Sequence, residues 1–101
     1  MDIILQSIGF KASEALEQFI HEKLGKVDQH THNIIRADVT LTKGPEAELH
    51  NNYCEIRLEV PGNDLFAKKN SSSFEHAIVE SIEALQHRIE KNRDKAISNA
   101  R

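Results

Sequence analysis

Hydrophobic positions along the chain follow two periods, and the switches between them mark six elements. Residues 2–8, DIILQSI, are a short run rich in branched apolar side chains, which suits a strand. Leu16, Phe19, Ile20, Leu24 and Val27 then recur at helical spacing through about residue 28. Ser13 stands where the N-cap belongs, and Glu14 and Glu17 fall in the first turn, where the positive end of the helix dipole favours acids. Gly25 interrupts this pattern at a cost of roughly 1 kcal/mol against alanine, so a bend or a frayed end is expected there. From IIRADVTLTKG onward the period becomes two, with Ile35, Ala37, Val39 and Leu41 on one face and Arg36, Asp38, Thr40 and Thr42 on the other. YCEIRLEV repeats the alternation after the turn formers of GPEAELHNN, placing Cys54, Ile56, Leu58 and Val60 inward, and the two strands form a hairpin with a long loop.

A tight turn at PGND leads to LFAKKN, a short fourth strand that ends in the run Ser71, Ser72, Ser73. Ser72 with Glu75 reads as a capping box and Ser73 equally well as a simple N-cap. A second helix follows from about 74 to 97, with Phe74, Ile78, Ile82, Leu85 and Ile89 as a narrow apolar stripe. The stripe stops where a basic stretch begins, so the last two turns are expected to project past the core. The order β-α-β-β-β-α, with two helices that both cover one face of a four-stranded sheet, predicts an α+β two-layer sandwich.

Composition narrows the function classes. The 101 residues make one domain spanning 1–101, and 39% hydrophobic with 29% charged residues is the range of an ordinary globular chain. It is expected to fold alone, as a monomer or a dimer. A single cysteine, Cys54, excludes an internal disulfide and fits a reducing compartment, and the start MDIILQSIGF lacks the basic and long apolar regions of a signal peptide. A cytoplasmic protein without a membrane span is expected. The net charge of −3 is unevenly distributed: residues 1–85 hold 14 acids and 8 Lys or Arg, for −6, whereas residues 86–101 hold 2 acids and 5 Lys or Arg, for +3. Such a basic end attracts a polyanion locally even when the average charge repels it.

No glycine-rich phosphate loop, nucleophile elbow or Cys/His pairing is present, and Cys54 falls among inward-facing strand residues, so no catalysis and no cofactor are expected. His30 and His32, with His21 and Asp28 near by, match no closed zinc pattern, and no metal is expected. Nucleic-acid contact has more support. Arg88, Lys91 and Lys95 are spaced i, i+3, i+7 on the second helix and project within about 60° of one another, while Arg93 lies about 140° from Arg88. Lys23 and Lys26 sit near the end of the first helix, so two basic clusters side by side would make a groove for a phosphate backbone; of Lys68 and Lys69, which alternate across their strand, one at most joins it. A solvated helix end with dipole-matched cations accounts for the same residues about as well.

The layout resembles the short ribosome hibernation promoting factor and ribosome-associated inhibitor family, also called sigma modulation proteins. The resemblance rests on IILQSIGFKASEALEQFIHEKLGKV, RADVTL, YCEIRLEVPG, DLFAKKNSSSFEHAI and ALQHRIEKNRDK in order and spacing. It implies a fold like that of double-stranded RNA-binding domains, no enzymatic activity, and binding to small-subunit rRNA in the messenger and transfer RNA channel, which silences translation under stress. The rRNA contacts it implies are Lys23, Lys26, Arg88, Lys91 and Lys95, with Arg93 and Lys68 as further candidates. It implies no membrane and no small-molecule substrate; without a second domain after Arg101, the chain would act on single ribosomes or with a partner factor. A reading from another class is a small interaction module that docks a protein on the open sheet face through Arg36, Thr40, Tyr53 and Arg57.

Overall fold

The computed structural model describes the backbone of residues 1–31 and 33–99 and, within these, all side chains but those of residues 30–31 and 92–99. Six elements follow in the expected order: β1 (Asp2–Ile8), α1 (Glu14–Thr31), β2 (Arg36–Lys43), β3 (Asn52–Glu59), β4 (Leu65–Ser71) and α2 (Phe74–Asn99). The strands form one sheet in the spatial order β1-β2-β3-β4, with β1 parallel to β2 and both other pairs antiparallel. A parallel pair needs a crossover, and α1 supplies it. Gly62, at φ 90°, makes the turn between β3 and β4 in a conformation that costs other residues strain.

The helices begin where side-chain chemistry predicts. Ser13 Oγ accepts the Leu16 amide at 3.1 Å, and Ser73 Oγ accepts the His76 amide at 3.1 Å, so Ser73 rather than Ser72 caps α2. Gly25 does not stop α1, which continues to Thr31. The core lies between the helices and one face of the sheet: Leu16, Ile20, Leu24 and Val27 of α1 and Ala77, Ile78, Ile82 and Leu85 of α2 meet Ala37, Val39, Leu41, Cys54, Ile56 and Leu58.

Two details depart from the periodicity. Ile35 is 54% exposed whereas Ile34 is 6% exposed, because the residues before β2 are not part of its alternation: the Ile35 amide donates to the Glu59 carbonyl at 2.8 Å, one step ahead of the strand. The buried face of α2 is also wider than its large apolar residues suggest. Ala77 and Ser81 are fully buried, and Ser81 Oγ donates to the Cys54 carbonyl at 3.3 Å, so small side chains let α2 lie close on β3 and β4.

Candidate nucleic-acid interface

Direction within the sheet fixes where the cations fall. Because β2 and β4 both run parallel to β1, the helices that follow β1 and β4 both return the opposite way and are parallel to each other. Phe10, just before α1, stacks on Phe74, the first residue of α2, with ring centroids 4.4 Å apart, so the two N-terminal ends meet. The two C-terminal ends therefore share the other pole of the molecule. Lys23 and Lys26 of α1 and Arg88 and Lys91 of α2 belong to that pole.

Their environments differ. Lys23 is half-buried, with Nζ 5.4 Å from the centroid of the Phe19 ring, a cation–π contact that holds the stem against the helix. Lys26 and Lys91 are exposed, and neither has an acidic partner among the described residues. Arg88 is exposed too, but its guanidinium donates to the Phe66 carbonyl at the start of β4. One of five N–H donors is spent there, and the remaining fork still suits a phosphate. This tether was not legible in the sequence, since a long-range bond to a backbone carbonyl leaves no residue pattern. About 26 residues of helix at 1.5 Å each, roughly 39 Å, exceed the roughly 23 Å of the seven-residue β4, so α2 overhangs the sheet at this pole. The side chains of Arg93 and Lys95 lie outside the described residues, as do those of His30 and His32.

Lys68 stands elsewhere. It alternates onto the open face of the sheet, opposite the helices, where Nζ lies 3.3 Å from Glu55 Oε1 and 5.7 Å from the Tyr53 ring centroid. It does not join the helix cations, because it lies two positions after Phe66, which places it with that exposed ring rather than with buried Leu65 and Ala67. The rest of that face is a set of compensated rows. Arg36 pairs with Asp38 at 3.3 Å and Glu59 at 3.9 Å, and the Arg57 guanidinium sits 5.9 Å from the Phe66 ring centroid. Cations that already face carboxylates offer a polyanion little.

Burial pushes the Cys54 thiol up to about 11, so it stays protonated and unreactive at neutral pH. Among the described residues no three His, Cys, Asp or Glu side chains gather as a metal site, and no helix is long and apolar enough to cross a membrane.

The described residues form a two-layer α+β sandwich with parallel helices and cations at their shared pole. The chain belongs to the sigma 54 modulation protein / S30EA ribosomal protein family, whose model matches residues 3–97. It is 28% identical over 82 residues to the ribosome hibernation promotion factor of Deinococcus radiodurans, a match that covers 80% of this chain and 43% of that protein. The chain thus spans less than half the length of that curated relative. A ribosomal subunit interface protein from Coxiella burnetii has the same fold, with a TM-score of 0.81 at 17% identity over 93% of this chain and 99% of that one. The N-terminal domain of Protein Y from Thermus thermophilus superposes with a TM-score of 0.76 at 17% identity, covering 90% of this chain and 98% of that domain.

Proposed function

We propose that this protein is a ribosome-associated hibernation factor that binds small-subunit rRNA in the messenger and transfer RNA channel, through the cations at the shared C-terminal pole of α1 and α2. Membership of the family supports the ribosome as partner. The observation that carries the choice of surface is the contrast between two faces: Lys26 and Lys91 have no acidic partner among the described residues, whereas Arg36 and Lys68 on the open sheet face are paired. Lys23, Lys26, Arg88, Lys91 and Lys95 make the contact set, and they read charge and backbone shape rather than base sequence. Such binding excludes messenger and transfer RNA by occupancy and needs no chemical step.

Five phosphate contacts predict a slope of log affinity against log salt on the order of −4. Sedimentation of the protein with purified small subunits, repeated across salt concentrations, measures it. The triple variant Arg88→Glu, Lys91→Glu, Lys95→Glu is expected to keep the circular-dichroism spectrum of the native protein and to lose co-sedimentation. Binding that ignores both salt and the triple substitution would place the contact on another surface.

A further inference from the structure

We infer that the free edge of β1 takes up an extended segment of another protein in which lysine or arginine alternates with apolar residues. The two edges of the sheet are managed differently. On β4, Lys68 and Lys69 flank the edge and the Arg88 guanidinium occupies the Phe66 carbonyl, devices that keep an edge strand from adding another. β1 carries none of them. From Ile3 to Ile8 it has no charge, no proline and no bulge, and β2 pairs with it on one side only. The Asp2 amide donates to the Ile35 carbonyl at 3.2 Å, so Asp2, Ile4, Gln6 and Ile8 turn their backbone groups toward β2. Ile3, Leu5 and Ser7 turn theirs outward.

The flank of α1 that overlooks this edge is acidic at both ends. Met1, the residue before β1, sets its ammonium 3.1 Å from Asp28 Oδ2, which locates that flank on the β1 side of the sheet. At about 100° per residue, Glu14, Glu17, His21 and Asp28 project within about 60° of one another. Lys23 and Lys26 lie about 140° and 160° from Asp28, on the far side of the helix. β1 and α1 run in opposite directions, so Asp28 stands at the Met1 end of the strand and Glu14 and Glu17 stand toward the Ile8 end. Asp28 already faces a cation. Glu14 and Glu17 are exposed, have no ion pair among the described residues, and border an open depression with Gln18 and His21.

Strand and helix together specify the occupant. The side chains of an added strand fall alternately beside Ile4 and Ile8, which are 52% and 45% exposed on the open face, and beside Ile3 and Leu5, which are half-buried on the helix face. The first row favours apolar residues. In the second, the stem of a lysine or arginine covers Ile3 and Leu5 and leaves its charged head to Glu14 and Glu17. A second copy of this chain is a poor occupant, because pairing two β1 edges about a two-fold axis normal to the sheet brings one acidic flank against the other. The same charges turn nucleic acid away. An edge with unspent backbone groups beneath unpaired carboxylates therefore selects a cationic strand.

Titration of the isolated, isotope-labelled protein in two-dimensional NMR tests this without any ribosome, so its outcome is separate from the function proposed above. The probe is a synthetic peptide of the length of β1, blocked at both ends, that alternates lysine and valine. It is expected to shift resonances of β1 and of the acidic flank of α1, and to slow hydrogen exchange at the Ile3, Leu5 and Ser7 amides. A glutamate–valine peptide lacks the charge, and a lysine–valine peptide methylated at every backbone nitrogen lacks the donors, so neither should protect those amides. The variant Glu14→Gln, Glu17→Gln is expected to keep the native circular-dichroism spectrum and to weaken the lysine–valine peptide roughly threefold to tenfold, the worth of two exposed ion pairs. Unchanged exchange at Leu5 and Ser7 with millimolar peptide overturns the inference. So does equal protection by either control peptide, and so does an affinity that the double variant leaves unaltered. Slowing of the same amides by rising protein concentration alone would give the edge to a second copy and overturn it too.

Discussion

Tyr53 is the only tyrosine of the chain, which makes its ionisation readable without interference. Its hydroxyl donates to Glu48 Oε2 at 2.7 Å, and this bond, followed by local desolvation and the negative charge of Glu48, raises it above the usual tyrosine value of 10.0. A folded-state value above the unfolded one means that the contribution to stability is present below about pH 10 and is lost as pH rises through the folded-state value. An ultraviolet titration should give a midpoint above 10.0 that Glu48→Gln lowers toward it. A native midpoint at or below 10.0 contradicts the bond. Single residues were also where the sequence was hardest to read. The exchange of Ile34 for Ile35 in the core depends on one backbone bond to Glu59, and the engagement of Arg88 depends on the Phe66 carbonyl. Neither partner is near in sequence, so neither leaves a local pattern. The division of Lys68 from the helix cations was half legible, because alternation separates it from Lys69 but does not say which of the two stands on the open face of the sheet.

At the scale of elements the periodicities were sufficient. Alternation over β2 and β3 and the 3.6-residue recurrence of α1 and α2 describe burial that each element must achieve, so their order and type follow from the pattern. What the pattern underestimates is small residues. Ala77 and Ser81 contribute no strong hydrophobic signal, yet they decide how closely α2 approaches the sheet. Gly25 is the converse case, a residue whose local penalty is real but which does not end the helix, because Leu24 and Val27 on either side are anchored in the core. A Cβ built at Gly25 meets nothing within 4 Å, and its φ is not positive. Gly25→Ala should therefore stabilise the protein by about 0.5–1 kcal/mol and raise Tm by roughly 3–6 °C in a thermal melt. An unchanged or lower Tm would mean that the glycine serves a contact beyond the described residues.

For the whole molecule, topology converts a one-dimensional charge pattern into a two-ended body. The −6 of residues 1–85 and the +3 of residues 86–101 were visible as numbers, but that α1 ends beside α2, bringing Lys23 and Lys26 to the same pole, required the parallel β1–β2 pair. An acidic body with a basic pole is an electric dipole, and a polyanion exerts a torque on it before any atoms touch. Many trial encounters are thereby replaced by approaches that already have the helix ends in front. The expected signature with small subunits is kinetic: across rising salt in stopped-flow mixing, the association rate falls steeply and the dissociation rate changes much less. A salt effect confined to dissociation would contradict it. On this account the acidic residues of the body also take part, since they turn away the orientations in which an otherwise attractive surface would arrive the wrong way round.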